Sequence, residues 1–120
     1  MHRTVRGELV QSKSELAIAN YLASIKLLYH YNRPLHGSAA PGKLHPDFSF
    51  ITDAGDTILW EHLGMLDRDD YKCGWEWKRE WYSKNGYEVG KNLFTSTEGP
   101  GLDMGDIAKV AESVRRALGL

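Results

Sequence analysis

KLHPDFSF (residues 43–50) and TILWEHLGML (residues 57–66), joined by ITDAGD (51–56), decide how this chain is read. Both runs are aromatic and aliphatic with alternating character, and a turn-forming Asp-Ala-Gly-Asp separates them, which predicts a β-hairpin. Side chains alternate across a strand, so Asp47 shares a face with Ser49 and Ile51, while Phe48 and Phe50 take the other. Glu61 shares its face with Thr57, Leu59 and Leu63, leaving Ile58, Trp60 and His62 opposite. The hairpin is roughly symmetric about Ala54-Gly55, which brings Asp47 and Glu61 together at one end of the sheet.

Working outward, QSKSELAIANYLASIKLL predicts a helix. Ser12 and Glu15 fit a capping box, and Leu16, Ile18, Ala19, Leu22, Ala23 and Ile25 form the apolar face. LYHYNRPL reads as extended up to Pro34, and residues 36–43 as a loop. Helical periodicity returns from Asp67 to Asn85, with acids at its start and Asn85-Gly86 as its stop. KNLFTSTE is a further strand, and DMGDIAKVAESVRRALGL closes the chain as an amphipathic helix. The expected order is α-β-β-β-α-β-α, an α/β domain with a small mixed sheet flanked by helices. It forms one domain over residues 1–120, with its core at about 12–118.

The 120 residues suffice for one hydrophobic core. No apolar run is long enough for a membrane span, and the first twenty residues lack a signal-peptide core. A single cysteine, Cys73, excludes an internal disulfide and a cysteine-rich zinc module. It is expected to be a small packed thiol in a cytoplasmic protein. The net charge of −1 gives no global basic footprint for nucleic acid, though an acidic metal site inside a basic rim also sums to near zero.

Two adjacent carboxylates raise each other's pKa unless a cation lies between them. Oxygen-rich pairs of this kind suit Mg²⁺ or Mn²⁺, which keep several waters and accept a substrate phosphate. The ordinary fate of a single Asp or Glu is a solvated strand end.

The element order, with HPD opening one strand and WEHL ending the next, resembles the PD-(D/E)xK phosphodiesterase fold of restriction endonucleases, junction resolvases and recombination exonucleases. The likeness is closest to the nuclease-like domains attached to superfamily-one DNA helicases. In these, SKSE…IANYL, PDF, WEHLG and a W…K…WY helix occur together, over roughly Ser12 to Ile107 here. The resemblance implies a restriction-endonuclease-like core. It also implies a metal-dependent DNA nuclease acting in repair, recombination or defence with a helicase domain in the same or a partner chain. Many relatives with this fold dimerise, so a homodimer is a further expectation. The first-helix acid of the family falls on Glu15, which is also the N3 residue of the capping box. The residue after the second acid commonly supplies a metal ligand through its backbone carbonyl, which here is His62.

The family pattern places lysine two residues after the second acid, where this sequence has Leu63. A substitute is offered by the helix YKCGWEWKREWYSK. There Tyr71, Trp75, Lys78 and Tyr82 fall at i, i+4, i+7 and i+11, one helical stripe. A lysine within an aromatic stripe must snorkel out or meet an anion, and the Asp47–Glu61 pair would be that anion. Lys78-x-x-x-Tyr82 is similar to the QxxxY helix motif of the recombination exonucleases, with lysine for glutamine.

The expected site is thus Glu15, Asp47, Glu61 and Lys78 as catalytic residues. Asp47, Glu61, His62 and Glu15 would hold Mg²⁺ or Mn²⁺, and Tyr82, Lys13 and Arg79 would touch DNA. Lys72, Lys84 and Arg33 are further possible phosphate contacts, each ordinarily a solvated charge. Two other readings compete. Leu63 favours a silent nuclease-fold module for DNA binding or docking. Trp75, Trp77 and Trp81, spread over more than one helical face, fit a protein-interaction domain.

Overall fold

A computed structural model describes residues 1–120. A short antiparallel ribbon opens the chain, β1 (His2–Arg3) with β2 (Leu9–Val10). It leads into α1 (Lys13–Ser24), whose start is fixed by Ser12, with Oγ accepting the Glu15 N–H at 3.1 Å. The helix ends at Ser24, and Lys26 just beyond it takes a left-handed conformation at φ 59°.

The main sheet has four strands in the order β3 (His30–Tyr31), β6 (Phe48–Ile51), β7 (Thr57–Leu63) and β8 (Leu93–Thr97). The first three run antiparallel and β8 joins β7 in parallel, so the sheet is mixed. The parallel step needs a crossover, supplied by α2 (Asp69–Lys84). The chain ends in α3 (Met104–Ala117), capped by Asp103, whose Oδ1 accepts the Gly105 N–H. The radius of gyration, 13.9 Å, matches the roughly 14 Å of a compact chain this long.

Sheet faces follow the pleat. Phe48, Phe50, Ile58 and Trp60 pack against Ile18, Ala19 and Leu22 of α1 and Ile107, Ala111 and Val114 of α3. On the other face Leu59 and Leu93 meet Trp81 and Tyr82 of α2. β7, flanked on both edges and covered on both faces, is buried without interruption from Ile58 to Glu61.

The extended segment before the hairpin is interrupted. Asn32 at φ 54° turns the chain after only two residues of β3. Residues 36–43 are not a plain loop: β4 (Leu35–His36) pairs with β5 (Lys43–Leu44) as a second ribbon, lying over the α2 side of the sheet. Its tip is latched to the end of α2. Asn85 Oδ1 accepts the N–H groups of Ser38, Ala39 and Ala40 at 2.8, 2.9 and 3.0 Å, and Trp81 Nε1 donates to the Pro41 carbonyl. Gly37 is required there, because a Cβ would stand 1.8 Å from the Ala40 oxygen. Cys73, expected to be packed, is exposed, since the first half of α2 rests on little of the sheet.

Candidate active site

The β6–β7 register pairs Phe48 with Trp60, and one step further along it sets Asp47 opposite Glu61. The turn makes this register. Thr52 N–H donates to Asp56 O at 2.8 Å, and Gly55 takes φ 89°, as a three-residue hairpin loop requires. The two carboxylates then clasp one another's strands. Asp47 N–H donates to Glu61 Oε1 at 2.8 Å, and His62 N–H donates to Asp47 Oδ2 at 2.8 Å.

Pro46 leaves the ladder open at this end. The 52/56 bond sets the parity of the antiparallel ladder, and 46 and 62 are the next such partners beyond 48 and 60. Pro46 has no N–H to give. The His62 N–H, whose ladder acceptor would be the Pro46 carbonyl, donates to the Asp47 carboxylate, and the His62 carbonyl, on the same side of the strand, receives no donor from Pro46. Two carboxylates and one carbonyl therefore face the same strand end.

Burial pushes Asp47 up to about 7, with the Glu61 charge adding to the rise. Glu61 is raised as well, chiefly by burial. Lys78 opposes both shifts: its Nζ stands 4.0 Å from Glu61 Oε2, with the lysine half-exposed and the glutamate buried. At that separation the pair is ionic without a direct hydrogen bond, so the ammonium keeps donors for a ligand. Residues on both walls, Glu15, Asp47, Glu61, His62, Leu63, Tyr71, Gly74, Trp75 and Lys78 among them, enclose a cleft of about 250 Å³.

Glu15 lines the cleft and also serves the helix start. Its Oε1 accepts the Tyr31 hydroxyl at 2.6 Å and the Gln11 N–H at 3.2 Å. No three His, Cys, Asp or Glu side chains close on a common point, so Glu15 does not complete a first ring of ligands with the other two. The His62 imidazole points to the opposite face, as the pleat requires. Its Nδ1 lies 2.7 Å from Ser96 Oγ and its Nε2 3.0 Å from Glu98 Oε1. Trp60 Nε1 donates to Ser96, and Ser14 Oγ donates to Glu98 at 2.5 Å. Glu98 is held below the usual range by the bonds from Ser14 and His62.

Tyr82 is a correction. Placed by sequence on the DNA-facing stripe, it is fully buried in the second cluster, because the stripe runs from the cleft at Tyr71 into the core at Tyr82. Its hydroxyl is buried without a partner, and its pKa is raised by burial and by the Glu61 and Asp47 charges. Lys13 and Arg79 are exposed outside the cleft lining.

Two buried carboxylates and the His62 carbonyl beside them fit a hydrated divalent cation. The donors are hard oxygens, two of them anionic, and such a cation would offset the charge that burial penalises.

No protein-family model matches the chain, and no solved structure does. The chain is similar to an uncharacterized protein of Methanocaldococcus jannaschii, 38% identical over 87 residues. Those residues are 72% of this chain and 7% of that protein, so the chain spans only a small part of its relative. No helix is long and apolar enough to cross a membrane.

Proposed function

We propose that this chain is a metal-dependent DNA phosphodiesterase with a restriction-endonuclease-like core, a PD-(D/E)xK nuclease whose lysine has moved to the facing helix. The observation that carries the reading is the clasped Asp47–Glu61 pair with Lys78 reaching Glu61 from α2. Buried carboxylates with raised pKa values in a cleft, opposed by one cation, are a common signature of a reactive site. Asp47, Glu61 and the His62 carbonyl would hold Mg²⁺ or Mn²⁺, which when bound supplies charge neutralisation at the phosphate and acidifies water.

The chain's own residues do the rest. Lys78 neutralises the scissile phosphate or orients the attacking water. Glu15, with Oε2 outside its capping bonds, takes up a water at the cleft mouth. The clasp holds both carboxylates in one geometry, so little reorganisation accompanies binding. Action alongside a helicase domain belongs to this proposal, and the great length of the archaeal relative is compatible with it.

Leu63, buried at the position of the usual lysine, supports a second reading: the same fold retained for DNA binding without cutting. Cleavage of labelled single-stranded, duplex and forked DNA in Mg²⁺ or Mn²⁺, beside EDTA and Asp47→Ala controls, separates the two. Metal-dependent cutting abolished by Asp47→Ala supports the nuclease. Binding without cutting on every substrate favours the silent module.

A further inference from the structure

Gly74 sits within α2, where glycine is disfavoured against alanine, and the structure offers no packing reason for it. A Cβ built there meets no atom within 4 Å, and its backbone is not left-handed. Gly74 lines the cleft between two aromatic residues of the same wall, Tyr71 and Trp75. Trp75 leans on the cluster of Leu59, Trp81, Tyr82 and Leu93 while also lining the cleft. Tyr71 is held by its hydroxyl, which accepts the Gly64 N–H at 3.2 Å. Leu63 adds apolar surface from the sheet wall. The cleft is therefore divided: the sheet wall carries Asp47 and Glu61, and the helical wall carries Lys78 beside a supported aromatic plate with the bulk removed at Gly74.

We propose that this second wall receives a single unpaired nucleobase, laid over Gly74 against Trp75, next to the phosphate handled by Asp47, Glu61 and Lys78. The proposal rests on the phosphodiesterase reading and names its substrate class: single-stranded DNA or a frayed end, not intact duplex. A volume of about 250 Å³ lies below the roughly 300–1,000 Å³ of sites for drug-sized ligands. It admits a nucleobase, whereas in an intact duplex each base face is already stacked on its neighbours and closed to Trp75. Stacking on a tryptophan face serves any base, because every base has a π-face, so the wall selects strandedness rather than sequence.

The test uses the full chain carrying Asp47→Asn, to allow binding without turnover, and follows tryptophan emission. The probes are a short thymidylate strand, an abasic backbone of the same length, and a duplex. The thymidylate strand should quench emission at concentrations about tenfold below those needed for the abasic strand or the duplex. Trp75→Leu should abolish that difference and Trp75→Phe should restore much of it, whereas Trp77→Ala, outside the cleft, should leave it intact. Gly74→Ala should raise the Tm while weakening strand binding, a combination that misfolding does not produce.

Equal binding of ordinary and abasic strands, or a Gly74→Ala chain that binds as tightly as its parent, overturns the proposal. Cleavage by the unmodified chain keeps the two readings apart. If duplex and abasic strands are cut as fast as ordinary strands, the nuclease stands and the base site falls. If the strand quenches Trp75 but nothing is cut in either metal, the base site stands and the nuclease falls.

Discussion

Lys78 on α2 reaches to 4.0 Å from Glu61 on β7, so positive charge enters the carboxylate pair from the helix and not from the strand. Lys78→Met should lower turnover by roughly a hundredfold or more, the scale for losing one preorganised charge at a reacting centre. The KM for DNA should change far less. Lys78→Arg should keep part of the rate. Steady-state cleavage of a labelled strand measures all three, and a KM effect without a kcat effect would reassign Lys78 to simple DNA binding.

Leu63 shares the Glu61 face of β7 and lines the cleft. In a Lys78→Met background, Leu63→Lys should recover a measurable part of the lost turnover, because its ammonium can snorkel into the cleft from the strand. A folded double variant with no recovery would mean that the helix position supplies geometry a strand lysine cannot.

Asp47, pushed up to about 7, carries a stability signature. An acid whose folded pKa exceeds its unfolded value binds its proton more tightly in the folded chain. Between about pH 4 and pH 7 the folded chain keeps a proton that the unfolded chain has lost. Stability therefore falls as pH rises through that window and is level, for this group, above it. Urea midpoints across pH 4.5–8 should show the fall, and Asp47→Asn should shrink it. Adding Mg²⁺ near pH 6 should release protons from the parent chain and fewer from the variant, which calorimetry in buffers of different ionisation heat detects.

Asn85 bonds three consecutive N–H groups with one oxygen. Asn85→Ala should cost about 1–2 kcal/mol, since part of the cluster is solvent-accessible. Gly37→Ala should cost more, because its methyl would collide with the Ala40 carbonyl and crowd the Trp81 ring. Denaturant midpoints, with m unchanged, check both.

The three helices and the central hairpin were legible because their signals are local: the Ser12 cap, the apolar stripes and the symmetric turn at Ala54-Gly55. The meeting of Asp47 and Glu61 followed from the same symmetry. The β1–β2 ribbon was missed because strands of two residues carry no period. The break at Asn32 was missed because asparagine visits left-handed backbone without a fixed sequence mark. Ser96 and Glu98 had no local signal at all, since they reach His62 only through the parallel pairing of β8 with β7. Tyr82 was misplaced because spacing gives the stripe on a helix but not where the stripe passes from cleft to core.

Of the 16 residues of α2, only Trp81 and Tyr82 are buried, both near its C-terminal end, where Asn85 and the Trp81 indole bind the ribbon tip. The helix is clamped firmly at that end and held more lightly along its first half, by the Tyr71 hydroxyl on the Gly64 N–H and by Trp75 against the Leu59–Leu93 cluster. The sheet wall of the cleft is stiff, while the helical wall is a beam with one strong and one weak support. Substitutions at residues 37–41, which touch no carboxylate, should therefore act on the width of the cleft by loosening the stronger support.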